Sequence, residues 1–183
     1  MAIYLVLMAL LLLAALITFR FFVRGDYLRN GHLSVFSSVL QALVFFLYGG
    51  FPTLYLQTDW PQSHVNVVLR IAGWAGILVG LAILWAGVFW LGLLRSLGRQ
   101  SDILKENGFY RFSRNPQVLG CGLYIVGFFL LWPSWYALGW SLFFIPIMHV
   151  MVLTEEEHLR RIYDQDYQIY CERVPRYFGI PKR

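Results

Sequence analysis

Charged side chains are scarce in this sequence. Only 14% of its 183 residues are Asp, Glu, Lys or Arg, while 58% are hydrophobic and 18% are aromatic. An ordinary soluble domain carries about 25% charged residues. A soluble domain this apolar could not cover its surface with polar groups, so the composition predicts a membrane protein. The basic residues lie at the ends of apolar segments, which favours the membrane surface over nucleic acid as their anionic neighbour.

Cysteine is nearly absent as well. Cys121 and Cys171 form no spacing pattern with the 4 histidines, so the sequence predicts no metal site. A cleavable signal peptide is not indicated either. The first apolar segment is longer than a typical signal core and no basic residue precedes it. We therefore expect this segment to be a permanent membrane span.

Long apolar runs are abundant. A helix needs about 20 apolar residues to cross the hydrocarbon core of a bilayer. Five segments reach or approach that length, at 3–23, 33–56, 65–94, 117–131 and 136–153. The fourth is short, and a Trp-Pro-Ser-Trp turn joins it to the fifth, which predicts a helical hairpin with its turn at a membrane interface. The fold class we expect is all-α and polytopic, with five transmembrane helices.

We expect a single membrane domain over residues 1–183, with a three-span scaffold at 1–94 and the polar chemistry at 95–183. With five spans, all but one of the 15 Lys and Arg residues fall on one side. The positive-inside rule puts that side in the cytoplasm and the N-terminus outside. Gly76 and Gly80 form a GxxxG pair, which permits close helix packing inside a monomer or, alternatively, across a homodimer.

A polar and aromatic segment at 155–171 follows the fifth span. Its pattern predicts a tail helix with Thr154 as a possible N-cap and an end at Pro175. We expect this helix to lie along the cytoplasmic interface or to fold over the hairpin. His149, three residues after Pro146, is expected to pair with a carbonyl that the proline frees. A role as a proton carrier is the alternative.

Two polar clusters flank the hairpin. The first contains Tyr110, Arg111, Arg114, Asn115 and Gln117, and the second contains Glu155, Glu156 and Glu157. Because a hairpin brings its two ends together, the clusters should be close. Ionisable groups at a membrane boundary are costly unless paired or functional, so these clusters could hold a small zwitterionic ligand beside a lipid-like partner. Alternatively, the arginines anchor a helix end and the glutamates form a favourable acidic first turn. The residues alone leave both readings open.

The two clusters in order resemble the integral-membrane methyltransferases, which include isoprenylcysteine carboxyl methyltransferases and phospholipid N-methyltransferases. The family pattern runs Gly-x-Tyr-Arg-x-x-Arg-(His/Asn)-Pro-x-Tyr-x-Gly, then Glu-Glu-x-x-Leu, Tyr-x-x-Tyr and Val-Pro-Arg. The matching residues are Gly108, Tyr110, Arg111, Arg114, Asn115, Pro116, Gly120, Glu155, Glu156, Leu159, Tyr167, Tyr170, Val174, Pro175 and Arg176. They extend over roughly the last half of the chain.

The resemblance implies S-adenosylmethionine as methyl donor, with S-adenosylhomocysteine as product, bound between the hairpin and the tail helix. The cofactor-binding residues it implies are Tyr110, Arg114, Asn115, Pro116, Gln117, Leu119, Gly120, Glu155, Glu156, Tyr167 and Tyr170. It also implies a lipid-like or lipidated acceptor that enters from the bilayer. Glu156 and Arg173 are the candidate catalytic residues, as a base and as a partner for an anionic head group.

This sequence departs from the family pattern at two positions. Asn115 stands where the prenylcysteine branch typically has histidine, and Val118 stands where the family has tyrosine. The interpretation is a carboxyl methyltransferase of the isoprenylcysteine type. The alternatives are a phospholipid or other lipid-amine N-methyltransferase, an NADPH-dependent membrane sterol or enone reductase, and a protein that keeps the fold without catalysis.

Overall fold

The computed structural model describes residues 2–56, 66–92 and 104–180, which are helical with no strand. Their helices are α1 (Ala2–Ile17), α2 (Arg24–Asn30), α3 (Val35–Leu56), α4 (Val67–Leu91), α5 (Pro116–Leu131) and α6 (Trp135–Arg173). A π-helical segment at Thr18–Val23 joins α1 to α2 without a break, and a 3-10 turn at Gly108–Arg111 precedes α5. The predicted all-α class is confirmed.

Four helical stretches in the described part of the chain are long and apolar enough to cross a membrane. They are the continuous α1–α2 stretch, α3, α4 and α6. The helix α5 has 16 residues and is therefore about 24 Å long, somewhat less than the roughly 30 Å hydrocarbon core. The predicted hairpin is present, since α5 ends at Leu131 and α6 begins at Trp135. The orientation of the chain in the bilayer stays a prediction.

Local side-chain chemistry fixes several helix starts. The Asn66 side chain accepts a hydrogen bond from the Val68 amide (3.0 Å), and the Ser134 hydroxyl accepts one from the Ala137 amide (3.1 Å). Both satisfy amide groups that a helix N-terminus leaves without partners. Pro116 occupies the first turn of α5, where its missing N–H removes no helical hydrogen bond.

Glycines bring α4 and α5 into backbone contact. A Cβ atom at Gly80 would lie 2.5 Å from the Tyr124 amide nitrogen and 2.6 Å from the Gly120 carbonyl oxygen. One at Gly127 would lie 2.5 Å from the Gly73 carbonyl oxygen. Small residues permit such close approach between membrane helices. Gly80 of the GxxxG pair therefore packs inside the chain, as the internal interpretation predicts, and the homodimer stays a prediction.

The other helices form a second group around an aromatic core. α1, α3 and α6 pack together there, and the Tyr4 hydroxyl donates to the Tyr136 carbonyl oxygen across 3.1 Å. The rings of Tyr4 and Phe51 meet edge to face with centroids 5.5 Å apart. A cavity described below lies between this group and the α4–α5 pair.

The predicted tail helix at 155–171 is part of α6, which continues from the fifth predicted span. α6 continues through Thr154, whose hydroxyl donates to the Val150 carbonyl oxygen (2.9 Å) instead of capping a new helix. The regular geometry breaks at Asp164 (φ 39°, ψ −109°). The last turns of α6 then fold over the 3-10 turn, where the Tyr170 hydroxyl donates to the Tyr110 carbonyl oxygen across 2.7 Å.

Candidate functional site

Three consecutive glutamates on α6 face three different surroundings. Each helical residue is turned by about 100° from the one before it, so neighbouring side chains diverge. Glu157 pairs with Arg24, at 2.6 Å between Oε1 and Nη2, and lies 3.6 Å from Arg20. Glu156 is buried among arginines, and Glu155 lines the cavity. Glu156 contacts Arg114 of the first polar cluster. Glu155 interacts electrostatically with Tyr110 and shares the cavity wall with Gln117, so the two clusters meet as predicted.

Glu156 is the centre of a buried ion-pair cluster. Its Oε1 lies 3.0 Å from Nη1 of Arg114, and Arg176 donates to both carboxylate oxygens, at 2.9 Å and 2.7 Å. Arg160 contributes a longer contact of 3.9 Å. The exposed fraction of the side chain is 5% for Glu156 and 10% for Arg114. Three guanidinium groups thus surround one carboxylate, which gives the cluster an excess of positive charge.

The Glu156 carboxylate raises the pKa of Arg176, mainly through their hydrogen bonds. This pairing is the forked Arg–carboxylate geometry, which is stronger than a neutral hydrogen bond. Arg176 therefore stays charged at any physiological pH. Arg176 follows the last residue of α6, so its pairing with Glu156 also holds the segment after α6 against the middle of that helix.

Two polar atoms near the glutamates of α6 are buried and lack a hydrogen-bond partner among the described residues. They are Nε of Arg114 and the hydroxyl of Tyr110. Burial is also the main reason why the pKa of the Tyr110 phenol is raised. Buried polar groups are almost always satisfied in native proteins. The orphaned Nε of Arg114, beside Glu156, therefore indicates a position where a polar ligand can bind. The orphaned hydroxyl of Tyr110, which interacts with Glu155, indicates a second.

Side chains from the end of α6 surround the Arg114 guanidinium. It donates to Cys171 Sγ and interacts with the Tyr167 hydroxyl. Tyr167 and Tyr170 are almost fully buried. The two predicted tyrosines therefore lie beside the predicted arginine. Cys171 belongs to the same surroundings, and the sequence analysis gave it no role because a lone cysteine without a motif carries no signal.

Residues 174–177, the tail strap, close over the start of α5. The Pro175 carbonyl oxygen accepts from the Arg114 amide (3.0 Å), and the Arg176 carbonyl oxygen accepts from the Asn115 side chain (3.0 Å). Tyr177 places its hydroxyl 3.1 Å from Nδ1 of His149. The predicted pairing of His149 with a freed carbonyl is thus wrong, because the tail strap supplies its partner.

A cavity of about 410 Å³ lies beside the ion-pair cluster. Five helices, α2 to α6, and the π-helical segment contribute to its wall, which is mostly apolar. The polar groups near one end of the cavity come from Glu155, Gln117, Gln41 and Tyr27. In the described part of the chain Glu155 forms no hydrogen bond or ion pair, and it lines this space. Ligand sites are commonly cavities of this size with an apolar wall and a few convergent polar groups.

The remaining predicted site residues take varied positions. Pro116 is buried at the start of α5 and Leu119 is half-buried. A Cβ atom at Gly120 would lie 2.6 Å from the Leu84 amide nitrogen, so Gly120 serves the packing of α5 on α4. Arg173 forms an exposed ion pair with Glu106, at 2.6 Å. The predicted functions of these residues stay predictions.

The sequence analysis missed the contribution of the N-terminal half. Phe19, Val23, Tyr27, Gln41 and Phe45 all line the cavity, although that half was expected to be scaffold. Gln41 carried a usable signal, because a polar side chain within an apolar span is a candidate functional residue.

A family model described as phospholipid methyltransferase matches residues 68–166. The match spans more than half of the chain. It includes nearly all of α4, the whole of α5, and the three glutamates of α6. It ends before Tyr167 and the tail strap, and it leaves out the first three helices. No curated protein and no solved structure matches the chain.

Proposed function

The chain belongs to the phospholipid methyltransferase family, and we propose that it transfers a methyl group from S-adenosylmethionine to a lipid amine. Membership makes the chain an integral-membrane methyltransferase. One observation carries the finer proposal. Adjacent residues of α6 face two compartments, since Glu156 lies in the buried arginine cluster and Glu155 lies in the apolar cavity. Methyl transfer needs a polar donor and a lipid acceptor side by side, and this arrangement supplies a place for each.

The arginine cluster suits the zwitterionic end of the cofactor. Its excess positive charge and the orphaned Nε of Arg114 would hold a carboxylate, and Glu156 would hold an ammonium group. The orphaned hydroxyl of Tyr110 offers one more polar contact. When bound, S-adenosylmethionine supplies a methyl group activated by a sulfonium. The chain holds the reactants in place and excludes water, which are the main contributions such a displacement needs.

The acceptor proposal rests on Glu155, whose carboxyl group has no ion-pair partner in the described part of the chain and would gain one from an ammonium head group. A carboxylate at the end of an apolar cavity attracts an ammonium head group and disfavours a second carboxylate, since unpaired charges are costly to bury. An amine must lose a proton before its nitrogen can attack. Glu155 is placed to accept that proton. We therefore favour a lipid amine over the carboxyl acceptor of the isoprenylcysteine type that the sequence analysis put first.

The test uses purified protein in lipid nanodiscs with radiolabelled S-adenosylmethionine. One set of discs contains phosphatidylethanolamine, and another contains a prenylated cysteine with a free carboxylate. We expect label in the amine lipid. Glu155→Gln should abolish transfer while S-adenosylhomocysteine still binds, and Glu157→Gln, one residue farther along the same helix, should retain both.

Label confined to the carboxylate acceptor would contradict the lipid-amine proposal. Thermal stabilisation of the protein by NADPH, without stabilisation by S-adenosylhomocysteine, would contradict the proposed cofactor and favour the reductase alternative.

A further inference from the structure

The cavity has a polar end and an apolar end. Glu155 marks the polar end, and Trp140, on the same helix, lies at the other. The two residues are fifteen positions apart in the sequence, which corresponds to about 22 Å along a helix. Between them, α6 presents Phe144, Met148 and Met151 to the cavity. The space is thus elongated along α6, as a single lipid chain would require.

A reciprocal aromatic pair closes the apolar end. The Tyr48 hydroxyl donates to the Trp140 carbonyl oxygen (2.8 Å), and the Trp140 indole N–H donates to the Tyr48 carbonyl oxygen (3.0 Å). The two rings are stacked at 20°, with centroids 5.4 Å apart. Both side chains line the cavity and are buried. Because each polar tip is bonded to the partner's backbone, the rings present only apolar faces to the cavity and are held in place.

The space behind this pair is filled. The Phe128 ring meets Trp140 edge to face at 5.4 Å. One turn farther from Glu155 along α6, Tyr136 packs against Tyr4, with ring centroids 5.0 Å apart. A chain that reaches the pair therefore meets packed aromatic side chains.

We propose that the Tyr48–Trp140 pair is the floor of the acceptor cavity and sets the longest chain that an acceptor can place there. This inference rests on the proposed function, because it assumes that the acceptor's chain occupies the cavity. A chain that leaves the bilayer for the cavity exchanges one apolar environment for another, so added methylene groups give little net gain. A chain that overruns the floor must bend or displace packed side chains. Overpacking typically costs about 1–3 kcal/mol, so affinity should fall by at least about fivefold beyond the limiting length.

The test measures binding, independently of methyl transfer. Ethanolamine lysophospholipids with saturated chains of graded length are titrated against the protein in nanodiscs, and thermal stabilisation reports affinity. The wild type should bind short and medium chains alike and lose at least about fivefold beyond one length. Trp140→Leu should move this limit to longer chains. Trp135→Leu is the matched control, because Trp135 lies on the same helix with 76% of its surface exposed.

Trp140 is deeply buried, so its replacement could prevent folding. Phe144→Trp provides a second variant, because it enlarges a side chain that lines the cavity and should move the limit to shorter chains. An unchanged limit in folded Trp140→Leu and Phe144→Trp, or no limit in the wild type, would overturn the inference. If the chain-length limit moves in the variants but the wild type transfers no methyl group, the Tyr48–Trp140 floor stands and the proposed function is refuted. If the wild type transfers methyl groups but the limit does not move in the folded variants, only the floor is refuted.

Discussion

Removing the charge of Glu156 should destabilise the protein strongly. In Glu156→Gln the three arginines keep their charges and lose the carboxylate that all of them contact. Arg176 and Arg160 have 31% and 56% of their side chains exposed and can turn toward water. Arg114 cannot turn toward water, because only 10% of its side chain is exposed. Breaking a buried pair by removing one partner costs about 3–5 kcal/mol. We expect the lower end, about 3 kcal/mol, because glutamine can still accept a hydrogen bond.

Thermal unfolding in detergent, followed by circular dichroism, measures this loss. A change of about 3 kcal/mol corresponds to a Tm lower by about 6–12 °C for a chain of this size. Glu157→Gln is the matched control, since that carboxylate is 33% exposed and pairs of this kind contribute about 1 kcal/mol or less. Adding Arg114→Gln to Glu156→Gln should recover part of the loss. Equal Tm losses in the two single variants would refute the reasoning that burial of Arg114 makes Glu156 critical.

Two further predictions concern packing and the predicted catalytic arginine. Gly80→Ala should destabilise the α4–α5 pair by about 1–3 kcal/mol, because the new Cβ would lie 2.5 Å from a backbone atom. Gly50→Ala is the control and should be neutral or slightly stabilising, because its new Cβ would meet nothing within 4 Å. Unfolding curves of both variants check this prediction. Arg173→Ala should lower stability by less than about 1 kcal/mol, since its pair with Glu106 is exposed. Its predicted catalytic function requires turnover to fall by about tenfold or more in this variant, although stability falls by less than about 1 kcal/mol.

The elements of the fold could be read from the sequence because apolar length and turn chemistry are local properties. The helix boundary at Thr154 could not. A threonine before three glutamates has the pattern of an N-cap, but the preceding span already supplies helical hydrogen bonds, and continuing them satisfies the backbone without a new start. The Thr154 hydroxyl accordingly bonds the Val150 carbonyl oxygen of the preceding turn.

The candidate site was predictable as a group of residues but not as an arrangement. The sequence placed an arginine cluster near three glutamates, yet which glutamate meets which partner depends on how α6 is rotated against α2, α5 and the tail strap. The contributions of Tyr27 and Gln41 depend on how α2 and α3 pack against α4, α5 and α6, whose lining residues are 40 or more positions away in the sequence. Such packing leaves no periodic signal in either segment.

Direct binding of S-adenosylhomocysteine tests the central claim that the cluster around Glu156 holds the cofactor. Calorimetric titration of the purified protein in detergent, at a temperature where every variant is folded, should show saturable binding to the wild type and to Glu157→Gln. Truncating one member of a buried, hydrogen-bonded charge pair costs at least about 2 kcal/mol in binding, so Glu156→Gln should bind at least about thirtyfold more weakly. Equal affinity in Glu156→Gln and the wild type, or no binding by the wild type, would contradict the account.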